Sequence, residues 1–271
     1  MAATAKTDKL YAVIVRMVGF LALFSLLPHV CAQSAASVHP IRPGHQAPRG
    51  LLAVAGPSPF APDCNGSQSG INFRNSVVEP FLAADPNNPA HLIGTWQQDR
   101  WSNGGASGVV AAVSMDGGRT WTRSSPRFSV CTGGSFQRAS DPWVAISPGG
   151  TAYLSVLALN NSNSATAILV SRSSDGGLSW GEPVTIVRDA GGGDDKETIA
   201  ADPNDPHYAY VVWTGSLSGI GSQLAMFSRT IDGGATWEPP KAIYGAGAGA
   251  AAFDNQIFVL PDGSIVDIFI L

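Results

Sequence analysis

An eight-residue pattern that occurs three times constrains the fold of this chain more than any other feature. Each copy has the form Ser/Thr-x-Asp-Gly-Gly-x-Thr/Ser-Trp. The copies lie at residues 114–121, 173–180 and 230–237. Their aspartates, Asp116, Asp175 and Asp232, are 59 and 57 residues apart. A fixed period of this length predicts an architecture built from repeated structural units.

Each repeat unit reads as four short strands. An apolar strand, a turn rich in Pro, Asn, Asp and Gly, and a β-branched and aromatic strand come first. A third strand is predicted before each Asp-Gly-Gly, at residues 108–114, 167–173 and 223–228, and a fourth starts at each Trp. A further unit begins at Asp254 and stops inside its second strand. No stretch of residues 33–271 keeps the 3.6-residue apolar period of a helix, so we expect an all-β chain.

Four-stranded antiparallel sheets that repeat about every 55–60 residues are the blades of a β-propeller. A propeller closes its ring to remove exposed strand edges, and it usually has about four to eight blades. This chain contains only about three and a quarter blades. We therefore expect a piece of a longer protein with about six or seven blades. The alternative is an oligomer that completes the ring.

The N-terminus has the pattern of a secretory signal peptide. Lys6, Lys9 and Arg16 precede an apolar run at residues 18–27, and Ala32 ends a small-residue cleavage site. Ten apolar residues cannot cross about 30 Å of hydrocarbon as a helix, so we expect no stable membrane insertion. The predicted organisation is a signal peptide at 1–32, an extension at 33–76 and an incomplete propeller at 77–271. The predicted location is secreted or periplasmic.

Charge and cysteine content narrow the classes of partner and the redox environment. Removing residues 1–32 takes away three of 16 basic and one of 20 acidic residues, which changes the net charge from −4 to −6. We therefore expect no nucleic-acid partner, because binding to phosphate backbones requires a basic surface. Cys64 and Cys131 remain, and in an oxidising compartment they predict one disulfide. The alternative is two unrelated buried thiols.

The repeated pattern matches the Asp box, or BNR repeat, and residues 72–271 resemble Asp-box propellers of the sialidase superfamily. The likeness is to secreted bacterial proteins described as exo-α-sialidases or BNR-repeat glycosyl hydrolases. We expect the box itself to be structural: its Asp accepts backbone N–H groups, its Gly residues adopt positive φ angles, and its Trp packs between blades. The alternatives are catalytic aspartates or Ca²⁺ ligands, but one Asp flanked by glycines lacks the oxygens that Ca²⁺ requires.

Blade topology predicts where a functional site would lie. Connections alternate between the two faces of an up-and-down propeller, so the starts of the innermost strands lie on the face opposite the Asp boxes. That face is expected to receive Glu79, Asp141, Lys196, Glu197, Asp254, Arg138 and the loop at residues 97–101. Carboxylates and arginines beside tryptophans have the composition of a sugar-binding site. The alternative is a set of solvated strand ends.

The resemblance also implies roles for these residues. Sialidases use three arginines to bind the sialic acid carboxylate, an Asp acid/base, and a Tyr nucleophile paired with a Glu. Asp99 lies near the position of the acid/base, and Glu79 is the second candidate catalytic residue. Arg100 and Arg138 are candidate anion ligands, and Asp141 and Trp101 are candidate substrate contacts. In place of the first arginine's Phe/Tyr-Arg-Ile-Pro stretch, this chain has Val78-Glu79-Pro80.

Two classes of function follow. The first is a secreted exo-α-sialidase-type glycoside hydrolase that acts on glycan termini. The alternative is a non-catalytic propeller that binds glycans or proteins. A carbohydrate is the expected partner, and no cofactor or metal is expected. A weaker alternative is a Ca²⁺ site formed by Asp189, Asp194, Asp195 and Glu197.

Overall fold

The computed structural model describes residues 10–15, 52–160, 165–191, 193–216, 223–245, 247 and 251–271. The edge strand β1 is Leu10–Val15. Blade 1 consists of β2 (Asn72–Asp85), β3 (Asn88–Trp101), β4 (Ala106–Ser114) and β5 (Thr122–Ser124). Blade 2 consists of β6 (Arg138–Ile146), β7 (Ala152–Leu159), β8 (Thr166–Ser173) and β9 (Val184–Asp189). Blade 3 consists of β10 (Asp195–Ala201), β11 (Ala209–Gly215), β12 (Leu224–Thr230) and β13 (Lys241–Gly245). The partial blade consists of β14 (Phe253–Val259) and β15 (Ile265–Ile270), and one turn of 3₁₀ helix lies at Val130–Thr132.

Neighbouring strands pair antiparallel within every blade, in chain order from the inside outwards. This confirms the predicted all-β fold of four-stranded propeller blades. The predicted third strands agree with β4, β8 and β12 to within two residues. The predicted start of the fourth strands at the Trp is wrong: β5 starts directly after Trp121, and β9 and β13 start directly after Pro183 and Pro240. Proline has no N–H group to donate to a strand ladder, so pairing starts after it.

Two strands of the structure lie wholly or partly within the predicted N-terminal segments. Strand β2 begins at Asn72, inside the segment assigned to the extension at 33–76. Strand β1 lies inside the predicted signal peptide and pairs in parallel with β15, with Leu10 opposite Ile265. The apolar run at 18–27 and the cleavage site at Ala32 lie outside the described residues, so the signal peptide stays a prediction. No helix among the described residues is long and apolar enough to cross a membrane.

Apolar side chains fill the spaces between blades. Between blades 2 and 3, Tyr153, Leu157, Val211 and Trp213 form a buried cluster against which Trp237 packs. Burying each such side chain contributes about 1.5–3 kcal/mol, so the packing of one blade against the next dominates the stability of the fold. Trp180 packs in the same way against the clusters between blades 1 and 2. The Trp of the second and third copies therefore joins adjacent blades, whereas Trp121 of the first copy packs against the cluster of blade 1 and residues 52–71.

The Asp-Gly-Gly turns are held by the aspartate side chain. In the second copy, Asp175 Oδ1 accepts hydrogen bonds from Ser179 N at 2.9 Å and from Ser173 Oγ at 2.7 Å. Hydrogen bonds from Ser179 and Ser173 lower the pKa of Asp175 to about 2. Gly177 has φ of 90°, and a Cβ atom there would lie 2.8 Å from Ile93 Cδ1 in blade 1. Only glycine fits this turn, because the neighbouring blade occupies the space of a side chain.

Residues 52–71, here called the N-terminal strap, lie against blade 1. A disulfide joins Cys64 of the strap to Cys131 in the 3₁₀ helix, which confirms the predicted pairing. Phe60 of the strap packs with Trp96 and Val110, and a side chain at Gly108 would collide with its ring. The strap is thus held by one covalent bond and one apolar anchor. It lies over the open end of the hairpin formed by β2 and β3, where β2 begins and β3 ends.

Candidate functional site

Each innermost strand contains a β-bulge at an equivalent position. The pairing register shifts at Val78/Phe81, Ser140/Trp143, Asp195/Thr198 and Phe253/Gln256. Each bulge contains one non-glycine residue in the left-handed region, with φ of 51° at Glu79, 48° at Asp141, 52° at Lys196 and 54° at Asp254. A bulge redirects the side chain of its extra residue. The repeat of the fold therefore places four charged side chains at equivalent positions around the propeller axis.

These residues line a cavity of about 480 Å³, here called the axial cavity. Its polar lining includes Glu79, Asp141, Lys196, Glu197 and Asp254. The aromatic rings of Phe81 and Trp143 form part of its wall, with ring centroids 3.9 Å apart. An aromatic wall beside a few polar groups is the usual lining of a small-ligand site. Of the predicted site residues, the structure brings Glu79 and Asp141 together here.

Glu79 and Asp141 form a hydrogen-bonded carboxyl pair. Glu79 is an exposed residue, but the surrounding protein removes part of the hydration of its carboxyl group. This desolvation, together with the hydrogen bond and the charge of Asp141, raises the pKa of Glu79 to about 7. Burial alone would raise the pKa of Asp141, but the hydrogen bond with Glu79 and the charge of Lys196 outweigh it and lower that pKa. The Lys196 Nζ atom lies 3.0 Å from Asp141 Oδ1. Below about pH 7 the pair therefore combines a neutral acid with an ionised carboxylate.

Gln97 and Arg100 approach the pair from strand β3. The Gln97 side-chain amide donates a hydrogen bond to Glu79 Oε2. Gln97 Oε1 accepts a hydrogen bond from Arg100 Nη1 at 2.8 Å. Arg100 thus acts on Glu79 through Gln97 and does not contact it directly. Gln97 is fully buried, and no sequence signal separated it from the neighbouring Gln98.

Glu197 is the most deeply buried carboxyl group of the axial cavity. The residue has no exposed surface, and neither carboxylate oxygen has a hydrogen-bond partner among the described residues. Burial, reinforced by the charge of Asp141, raises its pKa well above the ordinary value. Burial also raises the pKa of Asp195. The sequence predicts both Lys196 and Glu197 on this face, but it assigns no role to Lys196 and assigns Glu197 only to the alternative Ca²⁺ site.

The structure does not bring Asp99 to the axial cavity. The residue is buried in β3, where Asp99 Oδ1 accepts a hydrogen bond from Asn75 N at 2.7 Å and Oδ2 accepts one from Ser58 Oγ at 2.5 Å. Gln98 Nε2 also donates to Oδ1, at 3.0 Å. These partners belong to the strap, to β2 and to the adjacent residue of β3. Asp99 therefore connects the strap to blade 1.

Arg138 and Trp101 also lie away from the axial cavity. The Arg138 guanidinium is fully buried and stacks on the Trp101 ring at 4.5 Å. It donates hydrogen bonds to Gln68 Oε1, Asn103 Oδ1, Gly104 O and Ser69 O. Burial, together with the charge of Arg100, lowers its pKa. All four of these acceptors are neutral groups of the protein. Arg138 therefore holds the strap in place.

Two carboxylates of the alternative Ca²⁺ site, Asp189 and Asp194, accept hydrogen bonds from groups of the protein. Asp189 accepts hydrogen bonds from Gly191 N and Gly193 N within its own loop. Asp194 accepts them from Trp213 Nε1 at 3.1 Å and Thr166 Oγ1 at 3.3 Å. In the part of the chain that the structure describes, no group of three or more acidic, His or Cys residues has an arrangement that could hold a metal ion.

Comparison with known proteins supports the β-propeller fold. No protein-family model matches the chain, and no curated protein matches it. The Penicillium chrysogenum α-L-arabinanase complexed with arabinobiose aligns with a TM-score of 0.54 and 19% identity, over 75% of this chain and 60% of that one. The GH93 α-L-arabinofuranosidase of Fusarium graminearum aligns with a TM-score of 0.51 and 17% identity, over 71% and 56%. The Hadza microbial sialidase Hz136 aligns with a TM-score of 0.48 and 18% identity, over 69% and 40%.

The fold is that of a β-propeller of the kind found in glycoside hydrolases. The chain spans 60% and 56% of the lengths of the arabinanase and the arabinofuranosidase.

Proposed function

We propose that this protein is a glycoside hydrolase and that its reaction takes place in the axial cavity. The observation that supports this most directly is the pairing of Glu79 with Asp141 inside a cavity that has an aromatic wall. A carboxyl group with a pKa of about 7 beside an ionised carboxylate is the combination that glycoside hydrolysis requires.

The chemistry assigns one role to each carboxyl group. Glu79 gives its proton to the glycosidic oxygen as the bond from that oxygen to the sugar carbon breaks. Asp141, which stays negative, stabilises the positive charge that develops on the sugar ring. Water then adds to the sugar carbon and its released proton returns to Glu79. Carboxyl groups that share a hydrogen bond are closer than the roughly 5–5.5 Å of retaining enzymes, so the bound sugar must separate them.

The resemblance favours an exo-acting sialidase, and the charges of the axial cavity favour an uncharged sugar. A sialic acid carboxylate needs free cations, but Arg138 is bonded to the strap and to the 103–104 turn, and Arg100 is bonded to Gln97. Lys196 already forms an ion pair with Asp141. We therefore put an uncharged terminal sugar first and a sialoside second. Asp99, whose oxygens accept hydrogen bonds from the strap and β2, is assigned the structural role of joining the strap to blade 1.

A panel of fluorogenic glycosides, with a sialoside and an α-L-arabinofuranoside included, tests this proposal on the purified protein. Glu79→Gln should lower kcat about 10²-fold or more and abolish the decline in activity above pH 7, because the acid is lost. Glu182→Gln is the matched control, since Glu182 is an exposed residue that pairs with Arg127. Equal turnover in the two variants would place the acid elsewhere. Glycan binding without hydrolysis would favour the non-catalytic alternative.

We also propose that the protein is secreted or periplasmic, with cleavage after Ala32. The disulfide between Cys64 and Cys131 is consistent with an oxidising compartment. Cleavage would remove β1 from the edge of β15. Mass spectrometry of protein recovered outside the cytoplasm should give a chain that starts at Gln33, and a chain that starts at Met1 would contradict the proposal.

A further inference from the structure

Within the described part of the chain, only one member of the carboxyl pair in the axial cavity is in direct contact with a cation. Lys196 Nζ contacts Asp141 Oδ1 at 3.0 Å, whereas Glu79 contacts the neutral amide of Gln97. We propose that Lys196 is a positioning residue that keeps the single proton of the pair on Glu79 and so decides which carboxyl group is the acid. This inference rests on the glycoside hydrolase proposed above.

The backbone fixes the position of Lys196. Its φ of 52° lies at the bulge of β10, and its N–H donates to Asp195 Oδ1 at 3.0 Å. The bulge turns the side chain across the gap between blades 3 and 2, towards Asp141 in β6. The side chain of Asp141 is 10% exposed and that of Lys196 is 40% exposed. The ion pair is therefore partly shielded from water and retains much of its Coulomb energy.

The other charged groups around the pair do not replace this asymmetry. Asp195 and Glu197 in β10 and Asp254 in β14 are acidic, so they add no positive charge. Arg100 in β3 lies on the Glu79 side and is bonded to Gln97. Burial lowers the pKa of Lys196, but the neighbouring carboxylates, Asp141 first, raise it above the ordinary value, so Lys196 stays charged at neutral pH.

Without Lys196, two carboxyl groups that share a hydrogen bond would compete for one proton. An opposite charge within hydrogen-bonding distance lowers the pKa of an Asp by about 1–3 units, and partial exposure of Lys196 puts the effect near the lower end. Removing the charge should raise the lower of the two apparent pKa values of the pair by about one unit. The proton would then be distributed over both groups.

Carbon-13 NMR of protein labelled at the Asp and Glu carboxyl carbons tests the inference without an enzyme assay. Glu79→Gln and Asp141→Asn assign the two resonances. In the wild type, one resonance should titrate near pH 7 while the other stays ionised to low pH. In Lys196→Met, both resonances should move in both titration steps, and the lower step should rise by about one unit. Lys196→Arg should titrate like the wild type.

Lys241→Met is the matched control, because Lys241 is the other lysine among the described residues and its Nζ lies 5.0 Å from the Phe227 ring centroid. Lys196→Gln replaces Lys196→Met if the methionine variant does not fold. An unchanged titration in the folded, uncharged variant would overturn the inference, whether or not the protein hydrolyses glycosides. The predicted titration in a protein that hydrolyses no glycoside would support the inference and refute the proposed function. In an active protein, the acidic limb of the pH profile of kcat/KM should shift to higher pH by about one unit in Lys196→Met.

Discussion

Replacing Arg138 with methionine should destabilise the protein and leave the axial cavity unchanged. The guanidinium is fully buried and stacks on Trp101, with its carbon 4.5 Å from the ring centroid. Its four hydrogen bonds end on Gln68, Ser69, Asn103 and Gly104, at 2.6–2.9 Å. Two of these acceptors belong to the strap and two to the turn after β3. Arg138 thus adds to the direct hydrogen bonds between these two segments, which Ile71 makes with Ser102 and Asn103 makes with Ser69.

The size of the effect follows from the groups that methionine would leave without a partner. An unsatisfied buried acceptor costs about 1–3 kcal/mol, and water can reach some of these four, so we use about 1 kcal/mol for each. The total is about 4 kcal/mol. For a protein of this size, 1 kcal/mol corresponds to a shift in Tm of about 2–4 °C. The expected decrease in Tm is therefore about 8–16 °C.

Thermal unfolding followed by near-ultraviolet circular dichroism measures this decrease. Arg100→Met is the matched control: it removes one hydrogen bond to the Gln97 side chain from a half-buried arginine and should cost about 1 kcal/mol or less. Limited proteolysis should cut the strap sooner in Arg138→Met than in the control. If Arg138→Met instead unfolds within about 2 °C of the wild type and raises KM for a glycoside about tenfold, then Arg138 binds substrate, as the resemblance implies.

Three further predictions concern stability. Reducing the Cys64–Cys131 disulfide, which closes a separation of 67 residues, should lower the free energy of unfolding by about 4 kcal/mol in urea titrations, and alkylation of both thiols without reductant would contradict the bond. Asp175→Ala should lower that free energy by about 2 kcal/mol with kcat nearly unchanged, because three hydrogen bonds to a charged but solvent-screened acceptor are lost; full stability with lost activity would contradict this. Burial raises the pKa of Asp267 from 3.8 to about 7, so its stabilising effect is complete below pH 4 and is lost as the pH rises through 7. Asp267→Asn should remove about 4 kcal/mol of this pH dependence between pH 4 and 8, and an unchanged dependence in urea titrations would refute the assignment.

The features that could be predicted from the sequence are local and periodic. The third strands β4, β8 and β12 follow from short apolar runs before each Asp-Gly-Gly, and the structure confirms them. The repeat of four strands in each blade then determines the topology. The topology in turn determines the face on which Glu79 and Asp141 meet. The disulfide could be predicted because only two cysteines follow the predicted signal peptide.

The positions of Asp99 and Arg138 could not be predicted, because they depend on the strap. Residues 52–71 show no apolar period and no repeat, so the sequence gives no sign that they lie over blade 1. Once the strap is in place, Ser58 bonds the Asp99 carboxylate, and Gln68 and Ser69 bond the Arg138 guanidinium. Loop topology identifies the face on which a residue emerges, but the contacts of its side chain depend on segments that are distant in sequence.

The bulges of the innermost strands explain how a repeated fold produces a site of mixed charge. A left-handed residue other than glycine costs roughly 1–2 kcal/mol, and glycine at these positions would avoid that cost. Glycine would also remove the side chain that the bulge directs into the axial cavity. The four blades instead have Glu79, Asp141, Lys196 and Asp254 at equivalent positions, each with a positive φ angle. The backbone thus fixes where each side chain begins, and one residue per blade decides whether that position supplies an acid, an anion or a cation. Strain retained at four equivalent positions, all on one cavity, is the pattern expected where side-chain chemistry matters more than local stability.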